Sequence, residues 1–478
     1  MNEQFMSGSQ VPRLPRDIRV VNVGLDLLAD SIRRQGRDVV TVDWRIPAAS
    51  DGQIIEALER LMGRHAARID AANVEVFRRL DTASPSLTGV ATALDVVPEM
   101  TDRTILHSGP PLAWPEFCDP LRRSVRATVM AEGWARDRDE AEKFVASGGV
   151  TLDAANHHAT VVPMAATVGP TAPVFVVGFD DYLAYSPINQ GPGMTAWLGV
   201  DETEAVEHLV WLARVAGPIL STAISSAGPI DVFAMATQGL HMGDDLHMRT
   251  QATGNLLLRH LFGDLVETSA SHLAEFARFW SANHLFFLNI AMAAAKATTT
   301  WAAQVPDSSV VTAMARNGTT FGIRAAGAGD DWFIAPAPAV QHAMYYSGYG
   351  PETSARDIGD SAVLELIGLG GPAAAGAPAV AAFVGGTMAD AEAVTEQMSH
   401  ISVGRSSRFT IPTLNYVGTP VGIDIRKVVE LQITPSVNTG ILHKTDGIGQ
   451  VGAGVAVAPI DVFREALLAL DTKMQGLR

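Results

Sequence analysis

The chain has 478 residues, with 35 Lys and Arg against 51 Asp and Glu, a formal net charge of −16, and a single cysteine, Cys118. An apolar share of 47% with 18% charged residues excludes a disordered chain and supports a globular protein of about two to four domains. The acidic balance, with no basic stripe to offset it, argues against a nucleic-acid partner, and one cysteine excludes both an internal disulfide and Cys-based zinc frameworks.

Residues 1–16 read as a flexible polar tail. No apolar core precedes a cleavage site there, so no secretory signal is expected and a reducing, cytoplasmic location fits. Residues 17–106 read as a Rossmann-like α/β domain. Within it, 19–23 form a strand closed by Gly24, 25–34 a helix stopped by Gly36, and 38–44 a second strand; helix continues over 51–80. The three-glycine phosphate turn is missing. Residues 107–150, with Pro110, Pro111, Pro115 and Pro120 ahead of a charged helical stretch, predict a small helical insertion.

Residues 151–330 predict a mixed α-β domain, with strands in 160–179, buried helices over 204–222, 230–239, 244–262 and 270–299, and a strand over 319–324. A C-terminal α-β region, 331–478, follows. It has a strand at 332–335, strands near 410–425, and short helices at 361–369, 388–399 and 460–470. The charge-free stretch 367–389 holds too many glycines and prolines for a lipid-facing helix and reads as close-packed interior backbone, so no membrane partner is expected. The expected fold class is α/β plus α+β, multidomain: a Rossmann-like βαβ start, a small helical insertion and a mixed α-β remainder.

Residues 241–255, His-Met-Gly-Asp-Asp-Leu-His-Met-Arg-Thr-Gln-Ala-Thr-Gly-Asn, place a dense polar block between apolar runs, which is costly to bury without partners. At about 100° per residue, Asp244, His247, Gln251 and Asn255 share one helical face. Two readings stand: Gly243-Asp244 caps a helix, or the block walls a polar pocket in which Arg249 holds an oxyanion. A metal site from His241, Asp244 and His247 is a weaker third. Lys296 ends a nearly apolar helix, where a snorkelling lysine is the simpler account than a phosphate contact. Asn317-Gly318 reads as a turn, Arg324 as a strand residue in need of a partner, and Asp360 as a helix cap. His157-His158 reads as loop. Cys118 lacks a base nearby. Asn438 leads into His443-Lys444 and a G-x-G-x-x-G string at Gly447, Gly449 and Gly452. That string fails as a dinucleotide fingerprint for want of a following unit, though its N–H groups suit an anion.

Five segments together carry a resemblance: Val21-Asn-Val-Gly24 with Val42-Asp-Trp-Arg-Ile-Pro47, the Met242-Gly-Asp-Asp block, Asn317-Gly-Thr-Thr-Phe-Gly-Ile-Arg324, Asp357-Ile-Gly-Asp-Ser361 with Gly422-Ile-Asp-Ile-Arg426, and Asn438-Thr-Gly-Ile-Leu-His-Lys444. On these the chain resembles the YlbE/YahG-like family, one branch of which is the AllG-type subunit of oxamate carbamoyltransferase. The resemblance implies a complex with an FdrA-type, CoA-synthetase-like subunit and a third subunit, with room for a homo-oligomer. It implies transfer of the carbamoyl group of oxalurate, or of a related ureido compound, to phosphate in allantoin nitrogen catabolism, with no cofactor and no metal.

Such a transfer needs anion clamps, donors for a developing oxyanion and an acid–base group. Arg249, Arg324 and Lys444 are the expected clamps and His247 or His443 the acid–base group, with Asp244 orienting the histidine. Asn255, Asn317, Asn438 and Gly449 are the further substrate contacts. Two other functions stay open: a noncatalytic assembly subunit whose partner does the chemistry, and a metal-dependent hydrolase.

Overall fold

The computed structural model of the protein describes residues 19–23, 26–42, 51–383 and 386–476. The chain divides into two units, Met1–Ser50 and Asp51–Arg478. In the first, β1 (Val20–Val23), α1 (Asp26–Arg34) and β2 (Val39–Val42) form a strand–helix–strand whose strands pair in parallel, Val20 opposite Val39 through Val23 opposite Val42. The tail, the turn at Gly24 and residues 43–50 lie outside the described residues. Among the described residues β1 and β2 make a sheet of two strands, and the Rossmann-like sheet expected over 17–106 is not seen. Residues 51–106 belong to the second unit, where their long strand takes antiparallel neighbours instead.

The second unit begins with α2 (Gly52–Glu59), capped by the Asp51 carboxylate on the N–H groups of Gln53 and Ile54, and α3 (Ala66–Thr82). Next come β3 (Ser86–Thr92), α4 (Ala93–Val96), β4 (Thr104–His107), α5 (Asp119–Ala131), α6 (Arg138–Ala146) and β5 (Thr151–Ala154). β4 and β5 pair in parallel, Thr104 opposite Thr151 through His107 opposite Ala154. Parallel strands cannot be joined by a tight turn and need a crossover. The helices expected as an insertion at 107–150 are that crossover.

β6 (Thr167–Val168) adds to β4, and β7 (Pro173–Phe179) with β8 (Tyr182–Pro187) makes a hairpin. α7 (Thr203–Trp211) and α8 (Gly217–Ala227) precede β9 (Ile230–Asp231), which completes the sheet β8-β7-β3-β9. Among the described residues the helical run Thr203–Ala227 is long and apolar enough to cross a bilayer by length and composition alone. Its α8 portion packs on β3 and on α10 (Gln251–Glu267), which follows α9 (Val232–His241). The helix expected over 244–262 begins only at Gln251, and residues 242–250 are irregular. The helix expected over 270–299 is two, α11 (Leu273–Ala282) and α12 (Leu288–Ala302), broken around Asn283.

α12 is the centre of the core. Its run of Ala, Ile and Met is buried nearly all round, against β7, β8, α3 and the strand β10 (Val311–Asn317). A helix apolar on every face belongs in an interior, so any charge it carries must find a purpose there. β11 (Thr320–Ala325), β12 (Phe333–Pro336), β13 (Gln341–Tyr345) and β14 (Ile358–Gly359) follow, giving the antiparallel sheet β12-β11-β10-β14. The helix expected at 361–369 is a pair of 3₁₀ turns, and the described part of 367–389 is largely buried. α13 (Pro378–Phe383), α14 (Met388–Ile401), β15 (Ser402–Ile411), β16 (Val417–Ile423), α15 (Ile425–Leu431), β17 (Ser436–Leu442), β18 (Gln450–Val457) and α16 (Ile460–Met474) complete the chain. The G-x-G-x-x-G string is the turn of the β17–β18 hairpin and the start of β18.

Candidate anion-binding cavity

The polar block at 241–255 is resolved as structure by its own partners. Asp244 accepts hydrogen bonds from the N–H groups of Ala252 (3.2 Å) and Thr253 (2.7 Å) and from the Thr253 hydroxyl (2.8 Å), so it caps α10. Burial pushes its carboxyl up, against those donors and Arg249, whose Nε lies 3.2 Å away. Asp244 does not orient His247. The partner of His247 is Glu365, Nδ1 to Oε1 at 2.7 Å, with both side chains buried. Asp245 turns the loop by accepting from the N–H groups of His247, Met248 and Arg249, while its other oxygen accepts from Asn438 Nδ2 at 2.9 Å. His241 reaches Thr410 instead of the two residues weighed with it as metal ligands. Among the described residues no group of three His, Cys, Asp or Glu side chains is placed to hold a metal ion.

Other expected contacts are likewise occupied or dispersed. Asn317 closes its own turn, its carbonyl oxygen accepting from the N–H groups of Thr319 and Thr320 and its amide donating to Pro110 O. Asn255 is exposed on α10, and Lys444 is exposed in the hairpin turn. His443 is engaged with the Thr445 backbone, and Gly449 accepts from the His443 N–H with a φ of +90°, a conformation that glycine adopts readily. His247 lines a narrow cavity of about 30 Å³, roughly one water's worth of space. Among the described residues Arg249 and Lys444 do not share the cavity that Arg324 faces.

That cavity is about 520 Å³ and predominantly polar. Asn156, His157, Lys296, Thr299, Arg324 and Asp330 are among its lining residues. Asn156 and His157 belong to the 3₁₀ turn that follows β5, at the C-terminal end of the parallel pair. Parallel α/β sheets place ligands outside such ends. Lys296 comes from the buried face of α12 and is 8% exposed; its Nζ donates to Asn156 O at 3.2 Å and Oδ1 at 3.1 Å. Burial and the positive charge of Arg324 push the Lys296 ammonium down to about 8, with Asp360 opposing. Arg324 projects from β11, and its carboxylate partner among the described residues, Asp330 at 2.8 Å, is fully exposed. An ion pair that wet is worth about 0–1 kcal/mol, so Arg324 can be recruited by a ligand.

The surroundings are held firmly. Asp360 accepts the N–H groups of Gly109 (2.8 Å) and Val162 (3.0 Å) on its two oxygens, and burial pushes its carboxyl up to about 7. The cap expected of Asp360 therefore becomes a clamp between β14 and the segments after β4 and β5. Arg316, fully buried, pairs in fork geometry with Asp357 (2.8 and 3.1 Å), and Thr439 adds a hydrogen bond to the same carboxylate.

At the turn that receives Lys296, Asp153 accepts from His157 Nδ1 and His158 Nε2, each at 3.0 Å, while His157 Nε2 accepts the Trp332 indole N–H at 3.1 Å. Burial raises the Asp153 carboxyl, yet the bonds from His158, the Ala154 N–H and His157 hold it below its usual range. Sequence reasoning weighed Lys296 but preferred a snorkelling lysine, and it passed over Asp153 and Glu365. The available signals were a lone charge inside an apolar helix and an acid four residues before a histidine pair at a strand end.

Comparison with known proteins places this geometry in a family. The family model described as "Oxamate carbamoyltransferase subunit AllG" matches residues 150–361, a span that includes Asp153, His157, Lys296, Arg324, Trp332 and Asp360. The chain is 36% identical to the uncharacterized protein YahG of Escherichia coli K12 over 94% of this chain and 96% of that one. It is 38% identical to the oxamate carbamoyltransferase subunit AllG of the same strain, over 84% of this chain and 98% of that one. A crystal structure of a conserved protein of unknown function from Enterococcus faecalis V583 superposes with a TM-score of 0.82 at 37% identity, covering 84% of this chain and 97% of that chain. With homology that runs along most of its length, the chain belongs to the family of AllG and YahG.

Proposed function

We propose that the protein is a subunit of a carbamoyl-transfer complex and that its Lys296–Arg324 cavity holds the small anionic substrate. The observation that carries this reading is the gathering of cations in one polar cavity of an acidic protein: Lys296, supplied by an otherwise apolar helix, with Arg324 and the exposed Lys473. Oxamate, oxalurate and carbamoyl phosphate are all small anions with adjacent amide groups. Lys296 and Arg324 suit the charge, and Asn156, Thr299 and Thr312 supply neutral polar groups. The reaction is phosphorolysis of oxalurate, or of a related ureido compound, to carbamoyl phosphate and an amide. The likeness to a protein named as a subunit supports partner chains, of which an FdrA-type and a third subunit are the candidates.

Titration calorimetry with oxamate, phosphate and carbamoyl phosphate tests the site. Lys296→Met and Arg324→Gln are each expected to weaken binding by about tenfold or more, the loss of one charge-assisted contact. Unchanged affinity in both variants overturns the assignment. Binding seen only after partner chains are added favours an assembly role for this subunit.

A further inference from the structure

We infer that His157, aligned by Asp153, is the proton-transfer residue of this cavity, and that the Trp332 indole N–H occupies the position taken by a substrate N–H. The inference rests on the cavity being the site of a ureido anion. His157 meets a carboxylate through Nδ1 and a donor through Nε2. An indole N–H can only donate, so Nε2 presents its lone pair and the proton sits on Nδ1, facing Asp153. Carboxylate on one nitrogen and an available lone pair on the other is the arrangement that general-base catalysis requires.

A local i, i+4 pair alone would account for Asp153 and His157. It does not account for the indole, which comes from the far side of the β11–β12 connection. Nor does it account for the sharing of Asp153 with His158, whose other ring nitrogen is tied to Pro98 O at 2.7 Å. Those bonds hold the carboxylate as a fixed post; exposure is similar for the two side chains, 36% for His157 and 34% for Asp153, but His157 lines the cavity and is the group that meets a ligand there. Trp332 also lies 6.0 Å from the Arg324 guanidinium, so an anion that draws Arg324 inward perturbs the indole as well.

The step balances as follows. An oxygen of hydrogenphosphate attacks the ureido carbonyl carbon, and its proton passes to His157 Nε2. As the carbon–nitrogen bond breaks, Nε2–H returns that proton to the departing amide nitrogen. Oxamate leaves as a neutral amide with its carboxylate, carbamoyl phosphate leaves as the dianion, and His157 is neutral again. Lys296 and Arg324 face the charge that develops on the carbonyl oxygen.

The test uses the chain co-purified with its partner subunits, assayed for carbamoyl phosphate from oxalurate and phosphate. His157→Ala is expected to lose about 10²–10⁴ in turnover while keeping oxamate affinity within about threefold, and added imidazole should restore at least about tenfold. Turnover near that of the unaltered complex, or a loss that imidazole does not rescue, overturns the role. In the isolated chain, oxamate should change the indole emission, and Trp332→Phe should abolish that change; an identical response in the variant overturns the displacement. Absence of any oxamate, phosphate or carbamoyl phosphate binding to the unaltered protein would instead remove the anion site itself.

Discussion

His247 and Glu365 form a buried pair, Nδ1 to Oε1 at 2.7 Å, that joins the irregular loop after α9 to the 3₁₀ turns after β14. The same Oε1 accepts the Gly371 N–H at 3.3 Å, and Gly370 sits against it with a φ of +64°, where a Cβ would lie 2.2 Å from that oxygen. The pair is a fastener between two segments that have no regular structure to hold them. Glu365→Ala should therefore destabilise the fold by about 3–5 kcal/mol, since it leaves a buried histidine without its partner. Glu365→Gln, which keeps an acceptor, should cost distinctly less. Urea midpoints would read the difference, and equal midpoints for the two variants would count against the fastening role.

Lys296 links anion binding to pH. Its folded-state value is about 8 against an ordinary 10.5, so between those limits the unfolded chain holds a proton that the folded chain lacks. Its contribution to stability is thus present above pH 10.5 and lost as pH falls through about 8. An anion favours the charged form, so oxamate affinity should fall as pH rises through about 8, and binding near that pH should take up protons. Calorimetry in buffers of different ionisation heat measures the uptake. Lys296→Met should abolish it.

Lys444 and His443 stand away from the Lys296 cavity, on the β17–β18 hairpin. Alanine at either position should leave oxamate affinity within about twofold, the range of an exposed side chain that makes no contact with the ligand. A tenfold loss at Lys444 would mean that the hairpin closes over the ligand.

Asp244 acts on the helix that it caps. Asp244→Ala should cost about 1–2 kcal/mol of stability, mostly through the lost α10 cap, with oxamate affinity unchanged. Paired denaturation and binding curves separate those effects, and a binding loss at constant stability would restore Asp244 to the site.

Asp360 should make stability depend on pH in the opposite sense. Burial raises its carboxyl from 3.8 to about 7, so the folded chain holds a proton across that window that the unfolded chain has released. Its contribution is complete below pH 3.8 and lost as pH rises through about 7. Asp360→Asn should flatten the fall in urea midpoint between pH 5 and pH 8. The substitution carries its own cost, because the amide can accept only one of the two N–H groups that Asp360 now serves.

Local patterns in the sequence were enough for the small parallel pair at the N-terminus, the helices α7, α9, α14 and α16, and the strand β11 that carries Arg324. Each is a run whose own periodicity and end signals agree with its final state. The same reasoning extended helix through Asp244 and His247, because a period of 3.6 continues on paper through a loop that Asp245 folds with three backbone N–H groups. No pattern in residues 241–255 could announce Glu365.

The cavity shows the division most clearly. Composition and spacing determined that this acidic chain carries a lone lysine in an apolar helix, an arginine on a strand and a histidine pair in a loop. Only the tertiary structure decided that Lys296, Arg324 and His157 face one space while Arg249 and Lys444 do not. The reason is physical: α12 is buried on all sides by strands from distant parts of the chain, and the position of its one charge depends on how those strands pack, which no local stretch of sequence encodes.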